Sequence, residues 1–212
     1  MQNNLTLLQL CLIIKPLSSE MYLVGGCVRD FALNKKPKDY DLVLNGDLNI
    51  IEEELLKNGW KLDSAGKQFN VLIASKNQQQ FEIAMYRKDG TYSDGRRPDF
   101  VEVGTIDDDA ARRDFTINSL YMCPWTEVIL DPTGKGLIDI KNKTLRFNGV
   151  AKNRIQEDKL RIMRCYRFSL QLGFKIETKA LKACRTYFDS MQKEISSMRI
   201  MNELEKMVLN ND

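Results

Sequence analysis

Short apolar runs set between turn residues fill the first two-thirds of the chain, and their length of four to seven residues marks them as strands rather than helices. The pattern predicts strands over residues 21–24, 40–44, 70–74, 80–86 and 100–103, and a helix over 49–57 closed by Asn58-Gly59. Residues 5–14 read as an amphipathic opening helix that stops at Lys15-Pro16. From about Lys152 the period becomes helical with few breakers. Residues 157–172 form one predicted amphipathic helix ended by Gly173, with 178–191 and 197–209 as two more. In the first of these, Leu160, Met163, Tyr166 and Leu170 gather on one arc, and Asp158, Arg161, Arg164 and Phe168 on the opposite arc. A polar run over 87–98 has the length of a mobile or functional loop, and Asp131-Pro132-Thr133-Gly134 to Asp139 is turn-rich. The expected fold class is α+β: a mixed sheet flanked by helices over residues 1–148, then an all-α segment over 149–212.

Composition removes several chemistries. The chain has 212 residues, enough for one large domain or two small ones, and its 32 basic and 29 acidic residues leave a net charge of only +3. Any RNA contact must therefore come from local basic clusters. There is no histidine, which excludes His-based triads, His-ligated zinc and an imidazole general base. Carboxylate–Mg²⁺ chemistry survives that cut. Five scattered cysteines without a Cys-x-x-Cys pair read as reduced, mostly buried thiols. The apolar stretch 5–14 lacks a basic leader and is about half a membrane span, so a cytoplasmic protein without a membrane partner is expected.

Two motifs carry the first chemical signal. Gly25-Gly26-Cys27-Val28-Arg29-Asp30 follows the short apolar strand Tyr22-Leu23-Val24, and a glycine pair in that place lets backbone amides close on a phosphate. Asp39-Tyr40-Asp41 opens the next strand, where a period of two throws both carboxylates to one side and offers hard oxygen ligands for Mg²⁺. Each motif alone is ordinary turn chemistry; together, about a dozen residues apart, they point to a site. Glu82 alternates onto the polar side of the strand over 80–86 and is the candidate third carboxylate.

Gly-Gly-x-Val-Arg-Asp followed by Asp-x-Asp resembles the first motif of the class II tRNA nucleotidyltransferases and bacterial poly(A) polymerases, whose heads belong to the polymerase-β-like nucleotidyltransferase superfamily. Arg112-Arg113-Asp114-Phe115-Thr116-Ile117-Asn118-Ser119 is similar to the family's second motif, with Ser119 in place of alanine. Glu157-Asp158-Lys159-Leu160-Arg161 with Arg167-Phe168 resembles its Glu-Asp-x-x-Arg motif, and Ser197-Met198-Arg199-Ile200 with Glu203-Leu204 its neck. The resemblance covers residues 20 to 205, departing at Asn34, where the family usually has glycine, and at Met198, where it has glutamate.

What the resemblance implies is specific. Asp39, Asp41 and Glu82 are the catalytic carboxylates, with Asp39 and Asp41 holding Mg²⁺. Two such ions would activate an RNA 3′-hydroxyl, align the attacking and leaving oxygens and neutralise pyrophosphate. Gly25, Gly26, Arg29 and Arg113 contact the triphosphate, while Asp114 and Asn118 approach the ribose and its 2′-hydroxyl. Asp158 and Arg161 read the base, with Arg164 and Arg167 as further nucleotide-binding residues. Cytosine and adenine each present an amino donor beside a ring acceptor, whereas uracil and guanine present a carbonyl beside an N–H. An accepting aspartate next to a donating arginine therefore matches C and A and opposes U and G.

The implied reaction is untemplated addition of C and/or A to a tRNA 3′ end from CTP and ATP. Poly(A) synthesis and a catalytically idle RNA-binding half of a split enzyme are the alternatives. Family members usually continue into helical body and tail regions that grip tRNA. A chain of this length is expected to be a minimal enzyme, half of a split enzyme served by a second chain, or a fragment.

Overall fold

The computed structural model describes residues 4–92, 95 and 98–209. They form two compact units assembled from six alternating segments: residues 1–88, 101–110 and 120–132 build unit 1, and 89–100, 111–119 and 133–212 build unit 2. The expected boundary was one cut between 148 and 149. The chain instead passes repeatedly from one unit to the other, because the motif around Asp114 and the turn after Pro132 pack with the C-terminal helices.

Unit 1 is organised on a mixed sheet. Its strands are β1 (Ser18–Val24), β2 (Tyr40–Gly46), β3 (Lys61–Asp63), β4 (Val71–Lys76) and β5 (Gln79–Met85). The short ribbon β6 (Arg87–Asp89) and β7 (Val101–Val103) follows, then β8 (Tyr121–Met122) and β9 (Ile129–Leu130). Seven of them make one sheet in the order β3-β4-β5-β2-β1-β8-β9. Its neighbours are antiparallel except at the centre, where β2 and β5 run parallel. The predicted strands over 21–24, 40–44, 70–74, 80–86 and 100–103 all exist, with ends shifted by a few residues.

Register puts Leu23 beside Leu42, Leu42 beside Ile83 and Ile83 beside Leu72, all buried, so one face of the sheet is continuously apolar. Helices α1 (Leu5–Ile14) and α3 (Leu48–Lys57) pack on each other, burying Leu7, Leu10, Cys11 and Ile14 from the first and Ile51 and Leu55 from the second. The side chains of Asn4 and Asp47 cap their N-termini. No helix among the described residues is long and apolar enough to cross a membrane. The other sheet face is apolar only in part. Val24, Val43, Tyr86 and Tyr121 cluster there with Ala110 and Ile106 of α4 (Ile106–Arg112). Tyr121 Oη donates to the fully buried Asp109 at 2.7 Å.

Unit 2 contains α5 (Gly136–Lys141), α6 (Ala151–Glu157), α7 (Arg161–Leu172), α8 (Thr178–Glu194) and α9 (Ser197–Leu209), with a small parallel pair of β10 (Thr144–Leu145) and β11 (Lys175–Ile176). Its helices start and stop near their sequence signals: Gly173 ends α7 in the left-handed region at φ 66°, and α9 spans the predicted residues. The single helix expected over 157–172 is corrected. It breaks at Asp158, whose backbone is extended (φ −152°, ψ 107°) and whose carboxylate accepts the Leu160 N–H at 2.9 Å. That local bond competes with the helical ladder, as aspartate does at turns. The burial arc is corrected too. Ile162, Met163, Cys165 and Phe168 are buried while Leu170 is 64% exposed, because Phe168 packs edge-on against Phe115 at 5.6 Å in a cluster with Phe147.

That ring cluster anchors unit 2, and Phe115 is wholly buried. Phe115→Ala is expected to cost about 3–5 kcal/mol in urea unfolding; a loss below about 1 kcal/mol would show that the cluster does not anchor the unit.

Candidate active site

The carboxylates of unit 1 owe their placement to the one parallel strand pair. Asp41 of β2 and Glu82 of β5 are register partners, and neighbouring strands lie about 4.8 Å apart, so both side chains leave the same face side by side. Glu82 is exposed and Asp41 half-buried. Asp39 lies one residue before β2, exposed, on the bend that leads into it, so the strand period itself does not orient it. Beyond this pair the same face turns apolar at Val43 and Ala84, which gives the acids a dry wall.

Gly25 stands between β1 and α2 (Gly26–Ala32) with φ 78° and ψ −130°, a conformation reserved for glycine. Its N–H is already given to the Leu120 carbonyl at 3.2 Å. A phosphate would thus be met by amides from Gly26 onward, a correction to the simple cradle of both glycines. A Cβ at position 26 would meet the Arg29 guanidinium at 3.7 Å, ordinary contact, so glycine there keeps open ground beside a cation. Arg29 is held by Asp30 through Nε at 2.9 Å and Nη2 at 2.7 Å. Cys27 ties the motifs together: its thiol donates to Val24 O at 3.3 Å and receives the Asp41 N–H, and burial pushes it up to about 12. Asn34 adopts φ 57°, the left-handed conformation where the family usually has glycine.

In unit 2 Asp114 is the hub. Oδ1 accepts from the Phe115 N–H at 2.8 Å and from Asn118 Nδ2 at 3.2 Å; Oδ2 accepts from Arg164 Nε at 2.8 Å and Nη2 at 2.5 Å. A carboxylate offers about four acceptor positions, so a ribose hydroxyl could reach Asp114 only by displacing one of these donors. Burial by itself would raise this carboxyl, but Arg164 beside it, with Asn118, holds it below the usual aspartate range. Arg164 is shifted up in turn by Asp114. Thr116, inside the motif, donates to the buried Asp139 at 2.7 Å, and Arg146 clamps Asp139 and Glu177. Asp139 of α5 thus ties the Asp114 motif to that helix.

The break before α7 sets the base-reading candidates. Asp158 Oδ1 accepts the Leu160 N–H and Oδ2 accepts Arg199 Nη2 at 2.8 Å, leaving each oxygen one acceptor position among the described residues. Arg161 gives Nη1 to Glu157 at 2.5 Å and to Arg154 O at 2.9 Å, and Nη2 to Arg112 O at 3.3 Å. Three of its five donors are engaged among the described residues, which leaves two without a partner there. Arg167 is not brought to these groups: it is buried, pairs with Glu203 at 2.6 Å and Gln171 at 3.0 Å, and lies over the Phe168 ring at 4.1 Å. Arg113 is half-buried within the same motif as Asp114.

The pattern of the Poly A polymerase head domain matches residues 21–146, more than half of the chain. The chain belongs to this family. It is 38% identical over 191 residues to the CCA-adding enzyme of Enterococcus faecalis, covering 90% of this chain and 45% of that protein. To that of Streptococcus uberis it is 36% identical over 203 residues, covering 92% and 47%. Among solved structures, the Bacillus stearothermophilus CCA-adding enzyme in complex with CTP superposes with a TM-score of 0.81 at 26% identity, over 95% of this chain and 47% of that one. A tRNA nucleotidyltransferase complexed with a primer tRNA and an incoming ATP analog gives 0.75 at 28% identity, over 92% and 55%. The chain spans about half the length of the relatives it matches.

Within this poly(A) polymerase head family member, sequence reasoning gave no role to Arg199, Arg154 or Glu157, which hold Asp158 and Arg161. Glu157 and Arg199 stood inside the recognised motifs and Arg154 four residues before Asp158, but their pairing with Asp158 and Arg161 depends on the helix break and on α9, which no periodicity records. For metal, among the described residues no group of three or more acidic or thiol side chains stands close enough to make a complete cage. The donor set still fits Mg²⁺, which is bound through one or two carboxylates with water and substrate phosphate filling the rest.

The depressed Asp114 pKa fixes a pH signature. Its stabilisation is complete above about pH 4, the unfolded value, and is lost as pH falls through the lower native value. Asp114→Asn should therefore lower the urea midpoint at neutral pH and lose less than wild type between about pH 4 and pH 2. Parallel acid profiles would remove the carboxylate from this role.

Proposed function

We propose that the chain is a template-independent nucleotidyltransferase that adds C and/or A to the tRNA 3′ end from CTP and ATP. The observation that carries it is the Asp158 and Arg161 pair, each locked by its neighbours yet with acceptor and donor positions left over. Acceptor beside donor suits cytosine and adenine and leaves uracil and guanine with like groups opposed, a loss on the order of 1–3 kcal/mol per unsatisfied group. The relatives named CCA-adding enzymes support the same reading.

Asp39 and Asp41 would hold Mg²⁺, with Glu82 beside Asp41 as the third carboxylate. Bound Mg²⁺ supplies Lewis-acid activation of the RNA 3′-hydroxyl and neutralises the charge of the departing pyrophosphate. The chain's own part is positioning. Arg29 and Arg113 with the Gly26 amide receive the triphosphate, Arg164 and Asn118, both oriented by Asp114, act at the ribose, and Arg167 supports α7 through Glu203. No side chain acts as a nucleophile; attack by the 3′-hydroxyl on the α-phosphate releases pyrophosphate. The five free cysteines, four of them buried, suit the reducing cytoplasm. A helical body, in the same or a second chain, would add RNA grip.

A second reading, poly(A) synthesis, is favoured by the same pair, which admits adenine as readily as cytosine. Incubation with a tRNA lacking its terminal CCA and one nucleotide at a time divides them. CTP and ATP incorporation without UTP or GTP is expected; ATP alone on any RNA would turn the assignment to a poly(A) polymerase. Asp41→Ala should cut transfer by on the order of 10³-fold or more, as loss of a metal ligand worth several kcal/mol requires. Asp158→Ala should retain metal-dependent turnover while admitting UTP.

A further inference from the structure

The carboxylate face of unit 1 continues past its acids. Asp41 is the register partner of Glu82, Glu82 of Ile73 on β4, and Ile73 of Asp63 on β3, so the four share one row on one face of the sheet. The next row along the strands holds Gln80, Ser75 and Lys61, again register partners in turn. Neighbouring strands lie about 4.8 Å apart, so β4 and β3 carry this face about 10 Å beyond Glu82. It is open there. Lys61, Asp63 and Gln80 are exposed and Ile73 and Ser75 half-buried, whereas Leu72, Ala74, Phe81 and Ile83, which alternate with them, are buried. Asp63, at the far edge, is turned into its own bend, where it accepts the Ala65 N–H at 2.9 Å.

The order of the strands gives the reaction a direction across this face. Val24 is the register partner of Asp41, and the Gly25-Gly26 turn leading to Arg29 follows Val24 directly, so these groups proposed for the triphosphate stand on the β1 side of the acids. An in-line displacement puts the attacking oxygen opposite the departing pyrophosphate. With pyrophosphate on the β1 side, the 3′-hydroxyl enters from the Glu82 side, and the RNA behind it lies over β4 and β3. The floor there suits a nucleotide: an ammonium for a phosphate, a hydroxyl and an amide for ribose hydroxyls or base edges, and a half-buried aliphatic side chain against a base. We propose that the β4 and β3 wing of the carboxylate face seats the last nucleotides of the RNA being extended. Lys61 holds a phosphate, Ser75 and Gln80 bond polar groups of the nucleotide, and Ile73 lies beneath it. The inference rests on the reading of the chain as an enzyme acting on RNA 3′ ends.

The test compares the full chain with Lys61→Glu/Ser75→Glu, which places negative charge on the wing, and with a control, Lys36→Glu/Gln79→Glu, which makes the same change of charge on the other sheet face. Gln79 alternates to that face, and Lys36 lines a cleft there with Phe81. KM for a tRNA lacking its terminal CCA should rise on the order of tenfold in the wing variant, with KM for CTP and ATP unchanged, and should not move in the control. Lys61→Ala alone should take about 0.7 from the slope of log K against log salt, the share of one phosphate contact on a single strand. In wild type, the same tRNA with 4-thiouridine as its last nucleotide should cross-link on irradiation to β3 or β4. An equal rise in both variants, an unchanged KM for RNA in the wing variant, a rise confined to CTP or ATP, or a cross-link outside β3 and β4 would overturn the proposal. If wild type cross-links at β3 or β4 but extends nothing, the enzyme reading fails while the seat stands. If it extends the tRNA with the cross-link elsewhere, only the seat fails. Neither cross-link nor extension would end both.

Discussion

A buried carboxylate facing a guanidinium organises the second unit. Asp114 is buried, which by itself would push its carboxyl up; the two charge-assisted bonds from Arg164, with Asn118 and the Phe115 amide on the other oxygen, bring it below the usual aspartate range. Breaking such a pair by removing one partner leaves an uncompensated charge, which is costlier than never having built it. The arrangement makes three groups depend on one side chain. Arg164 is aimed by it, Asn118 is turned by it, and the Phe115 ring that follows it enters the cluster with Phe147 and Phe168.

The first unit depends on a different constraint, the parallel pairing of two strands in an otherwise antiparallel sheet. Parallel neighbours need a long crossover, here carried by α3, β3 and β4 between β2 and β5. That excursion brings Glu82, forty-one positions from Asp41, into register with it. Backbone hydrogen bonds fix the Cα spacing of an acid pair made this way, and its carboxylates reach out from that fixed base. Behind it, the Cys27 thiol sits between Val24 O and the Asp41 amide and fixes the turn after β1 to the start of β2.

Legibility varied with the range of the interaction. Strands, the α1 span and the ends of α7 and α9 could be read directly, since apolar spacing, Pro16 and Gly173 act within a few residues. The pairing of Asp114 with Asn118 was also near at hand, four residues apart. The stretch from Glu157 to Leu172 misled because its composition is uniformly helical. Only the bond from Leu160 to Asp158 and the reach of Arg199 from α9 show why the helix stops and restarts. The polar loop expected over 87–98 begins as a strand, and its residues Ser93, Asp94, Arg96 and Arg97 lie outside those described.

By itself the amino-acid sequence determined which chemistries stayed open: the absence of histidine removed imidazole chemistry and left carboxylate–metal chemistry standing, and the motifs carried the resemblance to the family. It also settled local conformation wherever a residue's own backbone preference decides, as at Gly25 and Asn34. Only the tertiary structure decided which hydrogen-bond capacity each group keeps. Asp114 is filled by four donors, Arg167 is drawn into helix packing, and among the described residues Asp158 and Arg161 keep hydrogen-bonding positions unfilled. The reason is physical: donors and acceptors are shared among residues up to fifty positions apart, and no local pattern records how that sharing is resolved.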